Sequence, residues 1–184
     1  MGQYYKIVNI DKQEYISPSD FGSGVKLMEF AYPGKPSMAL SALAILLADG
    51  NNRGGGDLRS DNSVIGSWKY DRIAVAGDYA DPHPECQEKN FYFDADKWEN
   101  ISDQVWSAML DDSYFAHEYS KIIIYFLETG HKYYIPRRIV KFAAYQNSPE
   151  ALHCLNQLFP DVETRIKIID GIKEAFNDIT IKQV

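Results

Sequence analysis

The stretch 37–57, SMALSALAILLADGNNRGGGD, decides the fold class, because an uncharged apolar segment runs directly into a glycine-rich loop. Ser37 is a typical helix N-cap, and the residues that follow it are apolar on nearly every side. The sequence therefore predicts a central, buried helix over 37–48. Gly50 stands where a left-handed C-terminal cap belongs. The run of glycines predicts backbone that can approach a ligand or another chain closely, since glycine has no Cβ.

Strand-like segments surround this helix in the first half of the chain. They alternate in polarity or are rich in β-branched and aromatic residues, and turn residues bound them. These segments are 4–10 with 14–16 as a hairpin, 64–68 beside 72–76 as adjacent strands, and 90–93. Residues 25–32 suit a short strand or a short helix, and the abrupt stop at 33–36 favours the strand.

From about residue 96 the apolar spacing becomes helical. The predicted helices cover 97–110, 114–127, 132–145, 149–158 and 162–176, and a weak strand pattern covers 179–184. This order predicts an α+β fold, with an N-terminal antiparallel sheet packed around one buried helix and a helical C-terminal half. We expect a single domain over 1–184, strand-rich in 1–95 and helical in 96–184.

The net charge of the chain favours some classes of binding partner over others. With 19 Lys and Arg against 26 Asp and Glu, the net charge is −7, which disfavours general nucleic-acid binding. A basic protein or a small ligand suits an acidic chain better. Two cysteines, no signal-peptide pattern and no long apolar run predict a soluble, cytoplasmic protein with reduced thiols and no membrane association. The oligomeric state stays open.

The glycine loop carries the first candidate site. A phosphate loop runs from strand to glycines to helix, whereas here a helix precedes the glycines, and no Gly-Lys-Ser/Thr follows them. The backbone N–H groups of Gly54, Gly55 and Gly56, helped by Arg53 or Arg59, can still form a nest for a small anion. The candidate ligand-binding residues are Arg53, Gly54, Gly55, Gly56, Asp57 and Arg59.

Two alternatives remain for the same loop. Asp49, Asn51, Asn52, Asp57 and Asp61 supply oxygen ligands for a cation, but the spacing departs from a calcium loop at its third and twelfth positions. The loop can also be architecture alone, a tight turn that packing forces on the chain. No metal site is predicted.

A second candidate cluster lies around the predicted strand 72–76. Its carboxylates and histidine can act as acid–base or ligand-binding groups, or they can simply form turns around two prolines. We expect this cluster to share one pocket or interface rim with the glycine loop, with aromatic side chains beside it. Its candidate residues are Trp68, Arg72, Asp78, Asp81 and His83.

The only dense basic stretch is 131–138, HKYYIPRR, with Lys141 one turn further on. It can contact a phosphate or an acidic partner. The alternative is a solvated helix face whose Ile139, Val140 and Phe142 are buried.

Three strings in the first 82 residues are distinctive: MGQYYKIVNIDKQEY at 1–15, LLADGNNRGGGD at 46–57 and GSWKYDRIAVAGDYAD at 66–81. They resemble an uncharacterised family of small proteins from bacteria and their viruses. No activity is established for that family, so the resemblance implies only an accessory or phage-borne gene.

These observations favour a non-catalytic binding protein for a host protein or a small, nucleotide-like anionic ligand. No nucleophile elbow or reactive-cysteine signature occurs, so no catalytic residue and no cofactor are predicted. One alternative is a small enzyme that processes nucleotides or ADP-ribose through the glycine loop. Another is a structural subunit whose tyrosines form a homo-oligomer interface.

Overall fold

The fold is α+β, with a four-stranded sheet built mainly from the first half of the chain and helices concentrated in the second half. This confirms the predicted class. The computed structural model describes residues 2–31, 38–131, 134–144 and 149–176.

The sheet has the strand order β3-β1-β2-β4. The predicted hairpin is confirmed as β1 (Tyr5–Asn9) and β2 (Glu14–Ile16), and β3 (Ile73–Gly77) pairs antiparallel with the other side of β1. β4 (Glu99–Asn100) pairs parallel with β2, so the sheet is mixed rather than wholly antiparallel. This last strand comes from the part of the chain that was expected to be helical.

Five helices of the second half follow the predicted spacing, although the one predicted over 132–145 begins at Arg137, directly after Pro136. These helices are α4 (Ser102–Asp111), α5 (Ser113–Glu128), α6 (Arg137–Ala144), α7 (Pro149–Leu158) and α8 (Val162–Ala175). α4 begins five residues later than its predicted helix because Glu99–Asn100 is paired in the sheet. The side chains of Asp112 and Asp161 accept backbone N–H groups at the starts of α5 and α8, as N-caps do. The predicted strand at 179–184 lies outside the described residues.

The apolar helix is α2 (Ala39–Leu47), and it is less buried than expected. It packs one face on α4 and on the short turn Pro18–Phe21. The opposite face is open, with Leu40 44% and Leu47 40% exposed. The uncharged sequence therefore belongs to a surface helix with an uncovered apolar face. Its predicted cap, Ser37, lies outside the described residues.

The predicted strands at 25–32, 64–68 and 90–93 are wrong. The first and third contain α1 (Leu27–Phe30) and α3 (Phe91–Asp94), each started by a local side-chain cap. Residues 64–68 form turns because their backbone closes the end of α2: Gly66 N donates to Ile45 O, and Trp68 N donates to Leu46 O. Gly66 has a φ of 72°, and a Cβ there would lie 2.2 Å from Ala48 O, so this position requires glycine.

One hydrophobic cluster extends from Ile7 in β1 to Ile172 in α8. Trp106 of α4 is fully buried in it and contacts both halves of the chain. Its ring stacks on Phe21 at 5.4 Å between centroids and packs against Tyr119 at 5.2 Å. The single domain over 1–184 stays a prediction. Among the described helices, none is both long enough and apolar enough to cross a membrane.

Candidate binding groove beside the glycine loop

The glycine loop is closed by its own aspartate. The backbone N–H groups of Arg53 and Gly54 both donate to Oδ2 of Asp57, at 2.6 and 2.8 Å. These two bonds lower the pKa of the Asp57 carboxyl. Two N–H groups of the loop are therefore directed at a carboxylate of the same loop, whereas an anion nest formed by Gly54, Gly55 and Gly56 stays a prediction.

Packing does not force the three consecutive glycines. No atom lies within 4 Å of a Cβ built on Gly54, Gly55 or Gly56, and of these three only Gly56 has a positive φ, at 95°. Crowding by neighbouring atoms therefore does not explain these three glycines, and the interpretation of the loop as architecture alone stays open. Because these glycines carry no side chains, the surface around the Asp57 carboxylate stays open.

Removing the Asp57 carboxylate is expected to release the loop. In Asp57→Ala, the amide protons of Arg53 and Gly54 should exchange faster with solvent, because their acceptor is gone. In the wild type, the folded state lowers the pKa of Asp57, so its stabilising contribution is present above the ordinary aspartate pKa and is lost as the pH falls through the lowered value.

The measurement is amide hydrogen exchange together with an acid titration followed by NMR. The two amide resonances should shift together, with a midpoint below the ordinary aspartate pKa. Asp81→Ala, which removes an exposed carboxylate from another loop, is the control and should leave both amides unchanged. Equal exchange rates in Asp57→Ala and wild type would contradict the assignment.

A hydrogen bond from the segment that follows the glycines attaches the loop to the helical half of the chain. Asn51 clamps it, donating from Nδ2 to Leu58 O at 2.8 Å and accepting from Leu58 N at 3.0 Å. Arg59 N donates to Oδ2 of Asp112, the N-cap of α5, at 2.9 Å. These bonds hold the loop beside the first turn of α5.

A groove of about 600 Å³ lies between this loop, α2 and the first turns of α5. Its volume falls in the range of about 300–1,000 Å³ that is typical of small-molecule sites. Apolar side chains line most of it: Ala44 and Ile45 from α2, Ala48 directly after α2, Leu58 and Ile65 from the intervening chain, and Phe115 from α5. The exposed ring of Tyr114 adds an aromatic edge.

The charged groups at the groove are mostly acidic. Asp57, Asp112 and Glu118 face one arginine, Arg59. Burial opposes ionisation of Asp112, but N–H groups of Phe115, Arg59 and Tyr114 donate to its carboxylate and lower its pKa overall. A hydrogen bond from Lys121 lowers the pKa of Glu118. The groove therefore has an apolar floor and a rim that carries net negative charge at neutral pH.

Three residues of the glycine loop that were predicted as ligand-binding, Gly56, Asp57 and Arg59, line this groove. Gly54 and Arg53 contribute the bonds that hold Asp57. Gly55 is exposed on the same loop.

Trp68 is a core residue rather than part of an accessible site. Its side chain is fully buried, and its indole N–H donates to Oε2 of Glu14 at 2.6 Å. The bond joins the turn after the glycine loop to strand β2. A direct contact between Trp68 and a ligand is therefore wrong for this structure, because no ring surface is exposed.

The other four predicted residues surround strand β3 and do not line the groove. Arg72 pairs with Asp11 at 2.7 Å and with Glu85 at 2.9 Å, which ties the hairpin to the loop after β3. Asp78 accepts the backbone N–H of Tyr4 at 3.0 Å, next to the β1–β3 pairing.

His83 and Asp81 are exposed in the turn that follows β3. The His83 ring lies 4.8 Å from the Phe91 ring, centroid to centroid, and Nδ1 of His83 accepts the N–H of Glu85 at 3.3 Å. This cluster stands apart from the groove in its contacts, and a ligand-binding role for it stays a prediction.

The oxygen ligands considered for a cation are used within the loop and its neighbours. Asp49 accepts from Lys69 and Tyr70, and Nδ2 of Asn52 donates to Asp61 at 2.9 Å. Over the described ranges, no group of three or more His, Cys, Asp or Glu side chains is arranged to hold a metal ion.

The sequence reasoning missed the half of the groove that comes from α2 and α5. Asp112 followed by Ser113 is a recognisable N-cap signal, which could have placed the helix start and its Tyr114–Phe115 pair more carefully. Nothing local to 112–118 indicates that it lies against a loop more than fifty residues earlier. No protein-family model, curated protein or solved structure matches the chain.

Proposed function

We propose that this is a non-catalytic binding protein whose groove takes a basic amphipathic segment of a partner protein. The observation that carries the proposal is the Asp57 carboxylate, which accepts the N–H groups of Arg53 and Gly54 and gives the glycine loop an acidic rim. If the gene is an accessory or phage-borne one, as the resemblance implies, this partner is a host protein.

The apolar half of the recognition comes from α2. Leu40, Ala44 and Leu47 are exposed at helical spacing on one face, and Ala44 also lines the groove. An amphipathic helix places its apolar side chains in such a groove at intervals of three and four residues. The exposed leucines extend this apolar surface along α2 beyond the groove.

The charged half of the recognition comes from the rim. Lys121 pairs with Glu118, but the three carboxylates still outnumber this ammonium and the Arg59 guanidinium, which favours an occupant that carries Lys or Arg beside its apolar residues. The same charges repel a phosphate, and two of the loop N–H groups, those of Arg53 and Gly54, already donate to Asp57. A basic segment therefore fits this groove better than a nucleotide does.

A pair of synthetic peptides tests the proposal. Both carry leucines at the same helical positions, one with lysines and the other with glutamates elsewhere, and binding is followed by fluorescence anisotropy. We expect the basic peptide to bind at least about tenfold more tightly, and the difference to shrink as salt is added because rim charges are screened. Equal affinities, or preference for the acidic peptide, would contradict the proposal.

Reversing one rim charge is expected to weaken the basic peptide selectively. Glu118→Lys places a cation on the groove rim and should raise the dissociation constant roughly tenfold, because like charges then oppose each other. Glu163→Lys makes the same change in net charge on α8, where Glu163 also pairs with a lysine of its own helix. That control should change the dissociation constant less than about twofold. Similar losses in both variants would indicate binding through overall charge instead of the groove.

A further inference from the structure

A second cavity, of about 620 Å³, lies between α4, α6 and α7, and none of the sequence predictions included it. Four of its lining residues lie between positions 100 and 107, in α4 and just before it. They are spaced one, three or four positions apart, so they share one side of this helix. The others come from α6, from α7 and from the turns after the glycine loop. The lining residues are Asn62, Asn100, Asp103, Gln104, Ser107, Phe142, Pro149, His153 and Cys154.

The charges around this cavity are already matched within the protein. Asp103 forms an ion pair with Arg138, the residue of the basic stretch that faces α4, and the Arg138 side chain is only 14% exposed. Burial raises the pKa of the Asp103 carboxyl, and Arg138 opposes that shift. His153 Nε2 lies 3.8 Å from Oδ1 of Asp111. The one carboxylate among the lining residues is therefore already paired with a guanidinium.

Four of the lining side chains are neutral amides or a hydroxyl: Asn62, Asn100, Gln104 and Ser107. Gln104 donates from Nε2 to Glu99 at 3.1 Å, and Asn62 accepts the Val64 N–H at 3.1 Å. Within the described residues, Oε1 of Gln104, Nδ2 of Asn62 and the hydroxyl of Ser107 make no hydrogen bond. The cavity thus presents an amide acceptor, an amide donor and a hydroxyl that can act as either.

An apolar wall faces these groups. Phe142 and Pro149 line the cavity from the end of α6 and the start of α7. Hydroxyl groups both donate and accept, so several of them on one ring match a mixed set of amides and a hydroxyl. The C–H face of such a ring is apolar and matches the wall, while a few polar groups fix its orientation.

We infer that this cavity binds a neutral, polyhydroxylated ring, with Gln104, Ser107 and Asn62 hydrogen-bonding its hydroxyl groups and Phe142 packing against its C–H face. The ring is either a free sugar or the ribose of an uncharged nucleoside. This site is separate from the proposed peptide groove, because the two share no lining residue. Either site can therefore fail without the other.

The test is a ligand-observed NMR titration of the whole chain with neutral monosaccharides in one arm, nucleosides in a second and nucleoside monophosphates in a third. We expect saturable binding in the first or second arm at concentrations up to about 20 mM, and weaker binding of each monophosphate than of its nucleoside. Binding in the first arm identifies a free sugar, and binding confined to the second identifies the nucleoside.

The variants Gln104→Ala and Ser107→Ala, alone and together, remove two of the three groups without touching the buried core. We expect the double variant to weaken binding at least about tenfold. Gln157→Ala, a matched amide deletion on α7 outside the lining, should leave binding unchanged. Three results would overturn the inference: no binding in the first two arms, tighter binding of the monophosphates, or unchanged affinity in the double variant.

Discussion

Replacing Trp106 with alanine is expected to lower the free energy of unfolding by about 3–5 kcal/mol, the usual cost of removing a buried tryptophan or phenylalanine ring. Trp106 is fully buried between Phe21 of the first half and Tyr119 of α5. Its indole N–H also donates to Asp20 O at 2.8 Å. The variant leaves a cavity where the two halves meet and leaves that carbonyl without its donor.

Urea unfolding, followed by circular dichroism and by tyrosine fluorescence, measures this loss. Trp98→Ala is the matched control, because Trp98 is only partly buried and packs on the smaller cluster beside β1. Trp98→Ala should lower the free energy of unfolding clearly less than Trp106→Ala does. Equal losses in the two variants would contradict the central role of Trp106. We expect the two probes to show one coincident transition in the wild type, as small single domains usually do. Two separate transitions would count against the prediction of a single domain.

Filling the groove is expected to abolish most of its peptide binding. Ala44 is an exposed residue of α2 that lines the groove floor, and Ala44→Trp places a large ring where the apolar side chains of the partner would lie. We expect the dissociation constant for the basic amphipathic peptide to rise more than about tenfold, because the volume available to an anchor residue is lost.

Ser41→Trp is the matched control for this change. Ser41 is exposed on the same helix and does not line the groove. Both variants introduce the same residue into α2, so both should lower helix stability by similar small amounts. If Ser41→Trp weakened peptide binding as much as Ala44→Trp, the effect would come from α2 as a whole and the groove would not be the binding site.

The elements with strong local signals could be predicted from the sequence. α7 and α8 begin where expected, at Pro149 and Val162, because a proline and an N-capping aspartate mark their starts. The β1–β2 hairpin follows from its alternating residues. These features depend on residues close in sequence, which a single chain displays directly.

The features that depend on distant contacts could not be predicted. Residues 64–68 have a strand-like composition, but their N–H groups bond to the last carbonyls of α2, so they form turns. α2 appeared central from its lack of charge, yet half of it faces solvent. In both cases tertiary contacts outweigh local propensity.

The candidate site was predicted in part for the same reason. The glycine loop was identified by its composition, and Gly56, Asp57 and Arg59 do line the groove. The bond from Arg59 N to Asp112 spans 53 positions, so no local pattern links the loop to α5. Gly56 has a positive φ, but the tighter requirement for glycine falls at Gly66, where a Cβ would also meet Ala48 O and whose N–H bonds to the end of α2. The run of glycines was the signal that the sequence displayed, whereas the backbone requires glycine more strictly at Gly66.

The most direct measurement is a map of backbone amide shifts in the ¹⁵N-labelled protein as the basic amphipathic peptide is added. We expect the largest changes in the segments that line the groove, 44–48, 56–59 and 112–118, with saturation at the affinity found by anisotropy. Changes concentrated in 72–85, around Arg72, Asp78 and His83, would place binding at the edge of the sheet. That result would contradict the assignment of the groove as the binding site.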